Sequence, residues 1–221
     1  MKFERVGVPA ADPESLSRWY GERFGDGGPA AESQVRLGET TLQFTEHSGT
    51  PPVHLAVRLL ADPEAAVDWL VDRVPMVPID GEPSRWFEFL DATAIYFEDP
   101  AANVLEGLCY VGDPRQEPDS KGVFDGVTEV GLPAPEPLAL VDWLEATVGL
   151  SAWGSPSDTF GWVGDRHARF VVIPVGRAWY PTDRTADIAP ISATIVEESA
   201  TPGRHSHPTL PYEIHVSHET S

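Results

Sequence analysis

The hydrophobic positions of the chain follow one plan in three segments. Each segment opens with a short run of Val and Leu, continues with an acid–proline pair, and then places apolar and aromatic residues at helical spacing. The acid precedes a tryptophan by seven residues in all three segments, which begin at Arg5, His54 and Glu129. These pairs are Asp12 and Trp19, Asp62 and Trp69, and Glu136 and Trp143. The repetition predicts a fold made from copies of one unit.

Each segment predicts a strand, a turn and a helix. The acid lies where a capping side chain meets the free N–H groups of a helix's first turn. The proline that follows (Pro13, Pro63 or Pro137) takes the first helical position, where no N–H is needed. Aromatic residues at helical spacing, such as Trp19 and Phe24, indicate a buried helix face rather than a cofactor site.

Runs typical of strands follow each helix, so the predicted unit is βαβββ, about 50 residues long. It occurs twice in residues 1–112 and again from residue 122, whereas residues 185–221 show strands without a helical period. Residues 112–122 are polar, with two prolines and a glycine at each end, and predict a linker at 113–121. The expected fold class is α+β, with a domain of two units at 1–112 and a degenerate second copy, which lacks its last helix, at 122–221.

Composition narrows the function. The chain carries 15 basic and 35 acidic residues, a net charge of −20, which disfavours nucleic acids and anionic membrane surfaces as partners. A single cysteine, Cys109, excludes a disulfide framework. No apolar run approaches the roughly 20 residues that span a bilayer, and no signal peptide is evident, so we expect a cytoplasmic protein.

The end of the second unit carries a family signature. Tyr96-FEDPAANVLEGL resembles the "F-x-D-P-x-G-N-x-x-E" motif of the vicinal oxygen chelate superfamily, which includes glyoxalases, extradiol dioxygenases and bleomycin-resistance proteins. The matching residues are Phe97, Asp99, Pro100, Asn103 and Glu106, with Ala102 in place of the glycine. The resemblance implies that paired units form an open barrel, glyoxalase-like in shape, with a divalent metal (Fe, Mn, Zn or Ni) on its concave face.

The resemblance also implies site residues. His54 falls at the metal-binding histidine of the second unit, Glu106 at its closing carboxylate, and Gln43 where the first unit would offer a ligand. In a metal-dependent enzyme, Glu106 or a water would also be the catalytic proton acceptor. Strand alternation puts Arg5 at the fourth ligand position, although alignment on the acid–proline pairs puts Glu4 there. Because a guanidinium has no lone pair to offer a metal, Arg5 would pair with Glu106 or contact substrate instead.

Three functions stay open at this point. The first is a metal-dependent lyase or dioxygenase acting on a small molecule, and the alternative is a metal-free protein that sequesters one. The third is a scaffold that has lost its ligand or a subunit that works only as a homo-oligomer. Arg5, Arg58, Trp86 and Tyr96 are the expected substrate contacts. The family also allows a homodimer. A final group of histidines lies in a loop-like setting and has an open role: His205, His207, His215 and His218.

Overall fold

The computed structural model describes residues 1–24, 33–113 and 124–218, and it contains four units. The first two units comprise β1 (Lys2–Ala10), α1 (Pro13–Phe24), β2 (Gln34–Leu37) and β3 (Thr40–Glu46), then β4 (His54–Leu59), α2 (Pro63–Val71), β5 (Met76–Val77), β6 (Arg85–Phe87), β7 (Ala92–Glu98) and β8 (Val104–Tyr110). The last two comprise β9 (Phe124–Ala134), α3 (Pro137–Trp143), β10 (Ala152–Trp153), β11 (Gly161–Gly164) and β12 (Arg169–Pro174), then β13 (Ile191–Val196), β14 (Gly203–Ser206) and β15 (Tyr212–Ser217). A π-helical turn, Leu144–Val148, extends α3.

The helix starts agree with the sequence pattern. All three helices begin at the proline of the acid–proline pair. Asp12 accepts a hydrogen bond from the backbone N–H of Ser15 at 2.9 Å. In the described part of the chain, the side chains of Asp62 and Glu136 make no such capping bond. Within the described residues, no helix is both long enough and apolar enough to cross a membrane.

The strands form two sheets. One has six strands in the order β14-β15-β13-β1-β3-β2, and the other has nine in the order β10-β11-β12-β9-β4-β8-β7-β5, with β6 paired to β7. The mixed architecture is the expected glyoxalase-like α+β fold. Residues 191–217, all of them described, hold three strands and no helix.

The pairing of units differs from the expectation. The first strand of the second unit, β4, pairs antiparallel with β9 of the third unit, and β1 of the first unit pairs with β13 of the fourth. The cleft expected between the first and second units therefore forms between the second and third. The physical reason is that the backbone N–H and C=O groups along the free edge of each opening strand need hydrogen-bonding partners from another strand. Alternation along one strand does not reveal which distant strand satisfies that edge. Residues 114–121 of the predicted linker lie outside the described residues.

The core fills the space between the sheets and the helices. Val6 and Val8 of β1, like Leu55 and Val57 of β4, face this core and are buried. Phe24 of α1 joins an aromatic cluster there, at the end of the predicted helical stripe. Its ring contacts Trp19, Tyr20, Trp69, Phe97 and Phe124. Alternation then leaves His54, Ala56 and Arg58 on the opposite, concave face of the nine-stranded sheet.

Candidate metal centre

Three side chains meet at the centre of the concave face. Ala56 on β4 is paired with Glu106 on β8 and with Glu129 on β9, so the two glutamates flank it. His54 lies two residues earlier on the same face of β4. Its Nε2 is 3.6 Å from Oε2 of Glu106 and 3.5 Å from Oε2 of Glu129. The candidate donor atoms of all three residues lie within 4.8 Å of one another.

Each of the three side chains is held by a neighbour. The His54 Nδ1–H donates to the backbone carbonyl of Val104 at 3.1 Å, so Nε2 is the ring atom that faces the glutamates and that could bind a metal ion. The Tyr96 hydroxyl donates to Oε1 of Glu106 at 2.7 Å. Arg169 donates to Oε1 of Glu129. Partners of this kind orient metal ligands in proteins, so each side chain offers one further atom to a shared centre.

The indole of Trp179 covers the imidazole of His54. The two rings stack with centroids 5.2 Å apart and planes inclined by 26°. The indole N–H donates to the backbone carbonyl of Pro52 at 3.1 Å, and the residue is only 3% exposed. The segment after β12 that carries Trp179 therefore packs on the second unit, where it closes one side of the site.

The pKa values of the two carboxylates shift in opposite directions. Burial, followed by the charge of Glu129, raises the pKa of Glu106 to about 7. Burial also acts to raise the pKa of Glu129, but the charge of Arg169 and the bonds to Arg169 and His54 outweigh it and lower that pKa. Burial lowers the pKa of His54, but both glutamates outweigh it and raise it. The surroundings of Glu129 therefore favour its ionised form, whereas those of Glu106 favour its protonated form.

These residues fit a divalent metal ion. Donor atoms that share one ion at about 2.0–2.2 Å stand about 3–3.6 Å apart, and the two distances from His54 Nε2 lie at the upper end of that range. One imidazole and two carboxylates suit zinc, iron or manganese. Two buried carboxylates facing one another are also costly unless a cation lies between them. His54, Glu106 and Glu129 are the residues that could hold it.

The internal repeat shows where a fourth ligand is missing. In the second unit, Ala56 is paired with Glu106 on the closing strand. The corresponding pair in the third unit joins Gly131 of β9 to Val171 of β12. An apolar residue therefore stands at the position that matches Glu106, and only three protein ligands surround the centre within the described residues.

Several predicted site residues lie elsewhere. Gln43 lies on β3 of the six-stranded sheet, where its amide donates to the backbone carbonyls of Ser33 and Phe44 at 3.1 and 3.2 Å. Arg5 is exposed on β1 of that sheet and donates to Gln34 at 3.4 Å, so the expected pairing with Glu106 is wrong. Both corrections have one cause, which is that β1 and β3 belong to the other sheet.

Of the other three expected substrate contacts, one lies at the cavity beside the metal centre and two do not. Tyr96 lines the cavity beside the metal centre. Trp86 is 47% exposed and lies outside the set of described residues that line this cavity. Arg58 shares the concave face but is four residues from His54, about 13 Å along the strand. It lies near Asp113 and Asp125, at 3.7 and 3.5 Å.

Sequence reasoning missed Glu129, Arg169 and Trp179. A signal for Glu129 was present, because Val130 and Leu132 face the core and alternation then puts Glu129 on the concave face. No signal in the sequence, however, indicated that β9, which carries Glu129, pairs with β4. Within the described residues, His54, Glu106 and Glu129 form the one group of three clustered metal-type donors, so the C-terminal histidines do not form another.

The centre lies at one end of an aromatic cavity of about 340 Å³. Side chains of the second and third units and of the segment after β12 form its walls. The aromatic ones are Phe87, Phe89, Tyr96, Phe160, Trp162, Trp179 and Tyr180. A larger cavity, of about 550 Å³, lies beside Arg58 and is lined by as many acidic side chains as lysines and arginines, three of each. The described residues of that cavity contain no clustered donors.

Comparison with known proteins supports the fold. The sequence matches no protein-family profile and no curated protein. Among solved structures, it is similar to a proposed dioxygenase from Bacillus subtilis subsp. subtilis str. 168, with 14% identity, a TM-score of 0.58, and coverage of 98% of this chain and 85% of that one. It is also similar to glyoxalase I from Zea mays, in the V278E mutant (11% identity, TM-score 0.52, 97% and 91% coverage) and in another crystal structure (12%, 0.50, 97% and 91%). The predicted resemblance to the vicinal oxygen chelate superfamily is confirmed at the level of the fold.

Proposed function

We propose that this protein is a metal-dependent enzyme of the glyoxalase or dioxygenase type that acts on a small molecule. His54, Glu106 and Glu129 would hold one divalent ion. The observation that carries the proposal is the convergence of three buried donors, from three different strands, at the end of a cavity. Lewis-acid polarisation of substrate oxygens is the chemistry that such an ion supplies when bound.

The residues around the ion have separate roles in this proposal. Glu106, whose pKa is about 7 without the ion, could hold or release a proton near neutral pH when it is not bound to that ion, which is what a general acid or base requires. The Tyr96 hydroxyl holds its Oε1, so Oε2 would either bind the ion or, when released from it, exchange the proton. Trp179 excludes water from one face of His54. The aromatic walls favour a flat, largely apolar substrate.

Metal analysis of protein purified without chelators tests the proposal. We expect about one metal ion per chain, and its loss in His54→Ala and in Glu129→Gln, because each change removes one of only three donors. Gln43→Ala is the matched control, since Gln43 lies on the other sheet and the variant should keep its metal. A parent protein that neither contains nor takes up metal would overturn the proposal, as would full metal retention in Glu129→Gln.

Metal-free sequestration of a small molecule is the second candidate. It is favoured by Val171 at the fourth ligand position and by the number of aromatic rings around the cavity. In this case a flat aromatic compound should raise the melting temperature of chelator-treated protein. The same stabilisation should persist in Glu129→Gln. An enzyme that binds its substrate through the ion would instead need metal for that stabilisation.

A further inference from the structure

Arg169 is a fully buried cation next to the candidate metal centre. It lies on β12 directly opposite Glu129 on β9, and it is 0% exposed. Its guanidinium donates to Oε1 of Glu129, to the backbone carbonyl of Arg166 at 3.0 Å and to the Tyr110 hydroxyl at 3.4 Å. A side chain with this many partners has a single orientation.

Two indole rings further restrict the guanidinium. Its central carbon lies 4.9 Å from the ring centre of Trp153 and 5.2 Å from that of Trp162. These two indoles stack on one another with centroids 5.2 Å apart. Cation–π contacts of this kind are strongest where water is excluded. Because Trp162 also lines the cavity, Arg169 is packed between the cavity wall and Glu129.

This arrangement decides how Glu129 can act. Arg169 occupies Oε1, and Oε2 is the atom that lies 3.5 Å from His54. The positive guanidinium against Oε1 disfavours a dication at that oxygen, so Oε2 is the oxygen that Glu129 would offer to an ion. Glu106 is also held at one oxygen, but by the neutral hydroxyl of Tyr96. The two glutamates therefore differ in the charge of the hydrogen-bond donor, which is positive for Glu129 and neutral for Glu106.

The repeat indicates that the cation is specific to the third unit. His54 is paired with Val104 on the closing strand of its unit, whereas Glu129 is paired with Arg169 on the closing strand of its own. Arg169 thus takes the place of a valine. In the same strand, Val171 takes the place of a ligand. The third unit therefore combines a missing donor with a charge that restrains the remaining one.

We propose that Arg169 is a positioning residue that keeps Glu129 a one-oxygen ligand and leaves the side of the centre facing Val171 open for substrate. This inference rests on the proposed function, since it concerns the same metal centre. Arg169 does not contact the ion in this arrangement, and it acts only through Glu129.

Titration with Co²⁺, followed by its visible absorption bands, tests this inference. The conservative variant Arg169→Lys keeps the positive charge but loses the planar fork that fixes Oε1. We expect its Co²⁺ affinity to fall by about tenfold or more, in line with changes to outer-shell partners. The absorption spectrum should also change, because Glu129 becomes free to bind through both oxygens. A purely structural role would leave that spectrum unchanged.

Arg58→Lys is the matched control. Arg58 is also a buried arginine facing an aromatic ring and carboxylates, but it lies about 13 Å along β4 from His54. Its replacement should leave both the Co²⁺ affinity and the spectrum unchanged. An Arg169→Lys variant with the parent's affinity and spectrum overturns the inference while the proposed function stands. A parent protein without Co²⁺ binding overturns both.

A second pair of variants covers the case in which Arg169→Lys does not fold. Arg169→Gln/Glu129→Gln buries no unpaired charge and is compared with Glu129→Gln alone. Both proteins should lose metal on purification, so their weakened affinities are measured by titration with excess Co²⁺. Because Arg169 acts only through the Glu129 carboxylate, we expect these two affinities to be equal. A further tenfold loss in the double variant would contradict the inference.

Discussion

The two sheets are built from the same kind of unit, yet among the described residues only the nine-stranded sheet encloses its concave face. There, Ala56, Ala92 and Ala94 leave room for a cavity that the segment after β12 covers with Trp179 and Tyr180. On the six-stranded sheet, Arg5, Arg36 and Ser192 lie on the corresponding face and are exposed. Burial therefore distinguishes the sheet that carries the candidate site.

The difference changes what one residue type does. On the nine-stranded sheet, Arg169 is a buried partner of Glu129 and orients a candidate ligand. On the six-stranded sheet, Arg5 makes one long hydrogen bond in solvent. A charge in water gains little from a neighbour, whereas a buried charge depends on its partner. The comparison can thus be tested by making the same changes on both sheets.

The largest expected effect comes from removing the buried cation. Arg169→Met leaves the Glu129 carboxylate buried without its main partner, and breaking a buried ion pair in this way costs about 3–5 kcal/mol. Arg5→Met on the other sheet should stay within about 0.5 kcal/mol, as for exposed positions. Urea unfolding in the presence of chelator measures both. Similar losses for the two variants would mean that the sheets do not differ as described.

The sequence predicted much of this fold because local patterns determine it. Proline at each helix start and the alternation around His54 follow from residues close together in the chain. Glu106 could be found through its motif. The partner strand of β4 could not be found in this way, because the sequences of β1 and β9 are equally suitable for pairing with its free edge. For that reason Gln43 was predicted as a ligand and Glu129 was missed.

Two glycines at matching positions give the next test. Gly7 and Gly131 each lie five residues before the acid of their segment. A Cβ at Gly131 would lie 2.5 Å from the ring of Trp179, and one at Gly7 would lie 2.1 Å from the hydroxyl of Ser192. The hydroxyl can rotate away, but the indole is held by Pro52 and His54.

We expect Gly131→Ala to cost about 1–3 kcal/mol, the usual range for overpacking. Gly7→Ala should cost less than about 1 kcal/mol, since only a surface side chain must move. Thermal unfolding gives the comparison, and tryptophan fluorescence reports whether Trp179 leaves His54. Equal costs, or an unchanged fluorescence spectrum in Gly131→Ala, would contradict this account of the cavity wall.

The smallest effect is expected where an arginine and a glutamate meet in solvent. Arg184 donates to both oxygens of Glu98, at 2.8 and 3.0 Å, and ties the segment after β12 to β7. The hydrogen bond from Arg184 lowers the pKa of Glu98, whose ordinary value is 4.5. A lowered folded-state pKa gives stability that is present above pH 4.5 and is lost as the pH falls below it.

Comparison of Glu98→Gln with the parent protein at two pH values measures this contribution. At pH 7 the melting temperature should fall by about 1 °C or less, because exposed ion pairs contribute little even with two hydrogen bonds. Below the folded-state pKa of Glu98, the two proteins should melt together. A shift at pH 7 as large as that of Arg169→Met would show that the same pair of side chains is as strong in solvent as in the core. The contrast between the two sheets would then require a cause other than burial.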